Sequence, residues 1–199
     1  MSTDMPDRTA HLTRETQETS VEVHLDLDGS GQAAVSTGVG FFDHLLTSLA
    51  HHALFDLTVN TKGDLNVDDH HTVEDTALVL GSAMAEALGD RAGINRFGDA
   101  AVPMDEALGS AAVDVGGRPY AVIDLPLQNP MIGNLTTQNL PHALEAMARA
   151  AGFTLHLRSE GLNDHHQAEA AIKALARALR QAVSQDPRRQ GVASTKGTI

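Results

Sequence analysis

Asp69-His70-His71-Thr72-Val73-Glu74 and Asp164-His165-His166-Gln167-Ala168-Glu169 are two copies of one pattern, adjacent histidines followed by a glutamate. Imidazoles packed beside a carboxylate are costly to arrange without a metal ion to hold them. Finding the pattern twice points to two metal sites on a duplicated scaffold. The flanking sequence repeats as well. His44 falls on His142 at an offset of 98 residues (142 − 44), and the same offset puts Leu46 on Leu144, Ala50 on Ala148, Phe55 on Phe153 and Leu57 on Leu155. The offset at the histidine pairs is 95 (165 − 70), so about three residues differ between the copies in the connecting segment. A period of half the chain is too long for a solenoid and suits two fused copies of a small domain.

Residue patterning between these anchors predicts the elements. Val21, Val23, Leu25 and Leu27 alternate with polar residues, a strand buried on one face. Asp28–Gly31 reads as a hairpin turn and Gln32–Thr37 as the partner strand. A helix over Phe42–His52 follows, then a strand at Phe55–Asn60, a Lys62-Gly63-Asp64 turn, a short strand at Leu65–Val67 and a helix from His70 to Leu88. The second half repeats the order: strands at Ala111–Val115 and Tyr120–Leu125 as a hairpin, a loop over Pro126–Asn139, a helix over Pro141–Ala151, a strand at Phe153–Arg158 and a helix over His165–Val183. The N-terminus is expected to fray before becoming extended. This is an α+β pattern of duplicated half-domains, each a small sheet with two helices on one face. Residues 1–92 are expected to form the first repeat. Residues 93–199 form the second, with a glycine- and Ser/Thr-containing tail, the whole making one compact unit whose halves pack through their helices.

Composition narrows the function. The 199 residues hold 42% hydrophobic and only 3% aromatic residues, so the core must be built from Ala, Leu and Val. Such a thin core favours further burial in a homo-oligomer. With no cysteine, disulfides, thiolate metal sites and a thiol nucleophile are excluded. A net charge of −12 argues against a nucleic-acid partner. No segment is apolar enough to expect a membrane span, and the charged N-terminus carries no leader-like apolar run, so the cytoplasm is the expected compartment.

On a helix, His70 and Glu74 share a face whereas His71 points about 100° away. Adjacent histidines are therefore expected to serve different ions, each ion drawing on more than one helix, from either half or from another subunit. Repeat symmetry adds His44 and His142. The ligand set is then His44, His70, His71, Glu74, His142, His165, His166 and Glu169, six imidazoles and two carboxylates for two ions. Nitrogen and carboxylate donors suit Mn, Fe, Co, Ni or Zn. Four protein ligands leave an octahedral ion the two open positions that a working enzyme needs. This favours Mn2+ or a similar octahedral ion, two per active site, with other divalent ions still open. Asp69, Asp75 and Asp164 are candidate acceptors for the second ring nitrogens. His11, His24, His51 and His156 have no repeat partner and read as surface or structural residues. His52, two turns after His44, and Lys173, one turn after Glu169, are candidates to line the pocket.

Eight motifs in order carry a family resemblance from about Arg14 to Ile199. They are Arg14-x-Thr16-x-Glu18-Thr19, Gly40-Phe41-Phe42-Asp43-His44, Asp68 to Asp75, Gly93-Ile94-Asn95-Arg96-Phe97-Gly98, Pro103 to Leu108, Gly117-Arg118-Pro119-Tyr120, Asn163 to Glu169, and Ser194-Thr195-Lys196-Gly197. The chain resembles the imidazoleglycerol-phosphate dehydratases. The resemblance implies a manganese enzyme of histidine biosynthesis that removes water from imidazole glycerol phosphate to give imidazole acetol phosphate. It also implies a duplicated fold like the second domain of ribosomal protein S5 and an assembly of 24 subunits with shared active sites. By the same resemblance Glu18 is the acid/base group, and Arg96, Arg118, Ser194 and Lys196 contact the substrate phosphate, the tail closing over it. The chain departs from the family at Gly161-Leu162-Asn163, where a lysine is usual in place of Leu162. A dinuclear metallohydrolase and a metal-storage protein are the competing readings. The first wants a bridging carboxylate, and the second does not need the arginines or the lysine-bearing tail.

Overall fold

The computed structural model describes residues 7–199. Its elements run β1 (Thr9–Glu15), β2 (Thr19–Asp26), β3 (Ala33–Ser36), α1 (Gly40–Ala53), β4 (Asp56–Gly63) and α2 (His70–Leu88). The second series is β5 (Phe97–Met104), β6 (Ala107–Asp114), β7 (Tyr120–Asp124), β8 (Met131–Ile132), β9 (Leu135–Thr136), α3 (Asn139–Ala151), β10 (Thr154–Glu160) and α4 (Asp164–Val183). The sheets have orders β1-β2-β4-β3 and β5-β6-β10-β7, the same topology twice. Among the described residues, the small β8–β9 hairpin is the one strand pair that the first half lacks. The fraying expected at the extreme N-terminus lies outside the described residues.

Two expected hairpins are not formed. β3 pairs in parallel with β4, and β7 in parallel with β10, so neither lies beside the strand that precedes it. The physical reason is the helix between partners. α1 and α3 carry the chain across, and such a crossover returns a parallel neighbour. β5 is a further strand that periodicity did not reveal, since Gly98, Ala100 and Ala101 give little alternation and Pro103 weakens it. Leu65–Val67 is a turn rather than a strand.

In β2, Val21, Val23 and Leu25 face inward while Ser20 and His24 face solvent. α1 and α2 cover the inner face of the first sheet, α3 and α4 that of the second, and the helices pair as α2 with α3 and α1 with α4. The order of layers is sheet, helices, helices, sheet, so the halves meet through their helices. The core between them is largely aliphatic, and seven buried alanines on α4 alone (Ala168, Ala170, Ala171, Ala174, Ala176, Ala178, Ala182) let elements approach closely. Gly98 on β5 and Gly109 on β6 press against the α4 backbone at Ala178 and Ala170, where a β-carbon would collide. Among the described residues no helix is long and apolar enough to cross a membrane.

Candidate functional site

Two clusters form, each mixing the halves of the chain. His44 from α1 meets His165 and Glu169 from α4, and His70 and Glu74 from α2 meet His142 from α3. In the first, Nε2 of His44 and Nε2 of His165 lie 2.6 and 2.9 Å from the same oxygen of Glu169. Burial works against ionisation of Glu169, but hydrogen bonds from Lys173, His44 and His165 outweigh it and hold the carboxyl at about 2. In the second, Nε2 of His70 is 3.4 Å and Nε2 of His142 3.2 Å from the carboxylate of Glu74. The His70 and His142 rings stack with centroids 5.0 Å apart.

The second histidine of each pair turns away, as helical geometry predicts. The His70 and His71 rings stand at 83°, and those of His165 and His166 at 87°. Nδ1 of His71 lies 3.0 Å from Asp64, and Nδ1 of His166 lies 2.8 Å from Glu106. These hydrogen bonds raise the pKa of both imidazoles. His166 is likewise the main cause that brings Glu106 down to about 2. A donor at Nδ1 leaves the Nε2 lone pair free to face outward.

The outer partners are thus not the ones expected. Asp69 accepts from the Thr136 backbone and hydroxyl and from the Asn139 amide, and Asn139 in turn contacts Nδ1 of His70 at 3.2 Å. Asp164 holds the backbone N–H groups of Gln128 and Asn129. Asp75 accepts from the hydroxyl of Thr19 and pairs with Arg14 at 2.6 Å. The aspartates opening both motifs therefore anchor the long 126–139 loop, and Asp64, Glu106 and Asn139 orient the rings.

Glu18 sits in the turn between β1 and β2, half exposed, with Oε1 3.8 Å from Nε2 of His71. His52 lies on the α1 face toward α4. Burial lowers its pKa first, and the charges of His51, Lys173 and Arg177 add to the effect. Lys173 is not free to meet a ligand in this chain, because its amine is 2.6 Å from the second oxygen of Glu169.

Arg96, Arg118, Ser194 and Lys196 do come together, around a cleft of about 470 Å³. Their states differ. Arg96 grips Asp114 through two bonds of 2.7 and 2.9 Å and donates to the Ala193 carbonyl, so it is largely consumed in holding the tail. Arg118 is 77% exposed and Lys196 is exposed. The start of the tail is docked through the Gly93 to Gly191 backbone bond.

This cleft is far from the His44–His165–Glu169 cluster within one chain. Arg96 N–H donates to the Ala182 carbonyl near the end of α4, whereas His165 lies at its start. Seventeen helical steps span about 26 Å. The strand ruler agrees: β5 begins beside Arg96 and ends beside Glu106, the partner of His166, about 24 Å away.

Comparison with known proteins identifies the arrangement. The family model for imidazoleglycerol-phosphate dehydratase matches residues 37–179. The chain belongs to the imidazoleglycerol-phosphate dehydratase family. A relative of that name from Acidiphilium cryptum is 56% identical over 194 residues, covering 96% of this chain and 99% of the relative. One from Haloarcula marismortui is 51% identical, covering 98% and 100%. Among solved structures, the dehydratase from Pyrococcus furiosus superposes with a TM-score of 0.81 at 32% identity, covering 94% of this chain and 100% of that one. That from Staphylococcus aureus gives 0.81 at 31%, covering 89% and 99%.

The donor set of this chain suits divalent ions. Each cluster presents two imidazole nitrogens and a carboxylate within 4.8 Å of one another. Nε2 of His142, although 3.2 Å from Glu74, is buried and not aligned for a hydrogen bond with it, an orphan that a cation between the two would satisfy. The apolar side chain of Leu162 is 88% exposed and carries no hydrogen-bond donor. Asp64 escapes the sequence reading because it lies in a turn outside the repeated tetrads. Glu106, ahead of an apolar strand, reads there as either an outer partner of the site or a plain turn residue, and the structure puts it on His166. The available signal for Asp64 was its position just past β4, the strand that leads to the first histidine pair. Glu106 lies in the turn between β5 and β6, 60 residues from His166, and is brought to it only by the fold.

Proposed function

We propose that the chain is a divalent-metal-dependent dehydratase that converts imidazole glycerol phosphate to imidazole acetol phosphate in histidine biosynthesis. The observation that carries this reading is the pair of His-His-Glu clusters in a chain whose full-length relatives bear that name. His44, His165 and Glu169 would hold one ion, and His70, Glu74 and His142 the other. When bound, the two ions, Mn2+ by preference, supply Lewis acidity that stabilises negative charge developing on the azole ring.

The chain's own groups provide the rest. Glu18, half exposed beside His71, takes the carbon-bound proton and returns one to the departing hydroxide. Arg118, Lys196 and Ser194 bind the phosphate, with Arg96 fixing the tail that presents two of them. The tail closes over the bound substrate and limits water entry. His52 lines the approach beside Lys173.

Each cluster has three donors from one chain, and His71 and His166 point away from both. A small substrate cannot span some 25 Å from the first cluster to the phosphate cleft. Both facts support active sites completed by other copies, with His71 and His166 ligating ions held by neighbours; the assembly of 24 subunits is what the family resemblance implies. A soluble biosynthetic role in the cytoplasm accords with this. The test is a dehydratase assay on metal-stripped and Mn-reconstituted protein with elemental analysis. Activity should vanish and return with two Mn2+ per active site. Full turnover by the stripped protein would refute metal dependence, and no turnover after reconstitution would refute the reaction.

A further inference from the structure

A third group of metal-competent side chains lies on the opposite surface of the first sheet, away from the helices. His11 on β1 and His24 on β2 are directly paired across the strands, and Glu22 precedes His24 by two residues. Ala10, Val23 and Leu25 are buried in the core, so strand alternation puts all three polar side chains on the solvent face. The imidazoles stack with centroids 3.6 Å apart and planes at 15°. Their Nε2 atoms converge on one oxygen of Glu22, at 3.0 Å from His11 and 3.3 Å from His24.

With bonds of about 2.0–2.2 Å, two donors on a zinc-type ion stand about 3.3 Å apart in a tetrahedron and about 3.0 Å in an octahedron. The two nitrogen–oxygen separations therefore already match edges of a coordination shell, and all three donors lie within 4.8 Å of one another. The stacked rings send their Nε2 atoms side by side toward Glu22, so an ion is taken up as each imidazole turns about its Cβ–Cγ bond. With the proton on Nδ1, both nitrogen lone pairs and the carboxylate then meet at one cation. The surroundings favour one. The adjoining cleft of about 510 Å³ is lined by His11, His24, Asp26, Asp56 and Thr58, and Asp26 faces Asp56 across β2 and β4.

We propose that His11, Glu22 and His24 form a separate surface site for a borderline divalent ion of the zinc type, independent of the two helical clusters. Two imidazoles and one carboxylate select Zn2+, Ni2+ or Co2+ over Mg2+ or Ca2+. The ion clips edge strand β1 to β2, the ribbon whose turn carries Glu18.

Zinc alone is the probe. Crystals of the full-length protein equilibrated with Zn2+ should give an anomalous peak within bonding distance of His11 Nε2, His24 Nε2 and Glu22. In solution at neutral pH, His11→Ala/His24→Ala should bind one zinc ion fewer per chain than the parent, with dehydratase activity unchanged. His156→Ala, an exposed histidine on the other sheet, should bind the parental number. Matching thermal unfolding of the metal-free proteins would show that each variant folds, and Glu22→Gln offers a milder loss of one donor. An empty position at saturating zinc overturns the site, whatever the helical clusters hold. So does an unchanged ion count in the double variant.

Discussion

His44 and Glu169 are 125 residues apart in the chain, yet Nε2 of one lies 2.6 Å from the carboxylate of the other. They belong to different repeats, and the α1–α4 contact that joins them is part of the interface between the halves. The second cluster mirrors this, with His142 of the second half reaching Glu74 of the first. Neither half could build a cluster alone. Glu169→Gln should therefore lower dehydratase activity by more than about a hundredfold, beyond the usual cost of losing an outer-shell partner. It should also remove one ion per chain by elemental analysis, and retained ion content would contradict the assignment.

Asp64 and Glu106 hold Nδ1 of His71 and His166 and so fix which nitrogen faces outward. Asp64→Asn should weaken Mn2+ affinity about 10- to 100-fold in a direct titration, with little change in unfolding midpoint. Glu106→Gln should do the same and also loosen the start of α4, because Glu106 accepts the N–H groups of Leu162 and Asn163.

Glu18 touches neither cluster and makes no contact that stabilises the sheet beyond its own turn. Glu18→Gln should keep metal content and KM while kcat falls about 10²- to 10⁴-fold, the range for a lost general acid or base. A variant with parental kcat would remove Glu18 from the mechanism.

The two arginines of the phosphate cleft should separate cleanly. Arg118 is mostly exposed, so Arg118→Ala should raise KM and leave the melting temperature in place. Arg96 makes a two-bond pair with Asp114 and holds Ala193, so Arg96→Ala should cost stability as well, about 1.5–3 kcal/mol for charged hydrogen bonds. Truncation after Val192 should raise KM without altering metal content. Identical kinetics of truncated and full-length protein would exclude a closing tail.

Asp56 gives a pH test independent of any metal. Its carboxylate accepts the backbone N–H groups of Gln32 and Ser30, which hold its pKa below the usual 3.8. The stabilisation is fully present above pH 3.8 and is lost as pH falls through the lower folded value. In metal-free protein the urea midpoint of Asp56→Asn should lie below that of the parent at pH 7. The gap should close as the pH falls through the folded value, and a gap that widens in acid would contradict the role.

By itself the sequence determined the duplication, the α+β class and the identity of the candidate donors. Those readings rest on local periodicity and on residue types repeated at a near-constant offset, which survive without knowledge of contacts. The tertiary structure decided which donors meet. Strand order was hidden because β3 and β7 join partners across intervening helices. Pairing of His44 with Glu169 and of His142 with Glu74 follows from how the helical layers stack, a long-range packing outcome. Packing likewise turned Asp69 and Asp164 into loop anchors and committed Lys173 to Glu169. A charged side chain takes the nearest partner that the fold supplies, and spacing along the chain does not reveal that neighbour.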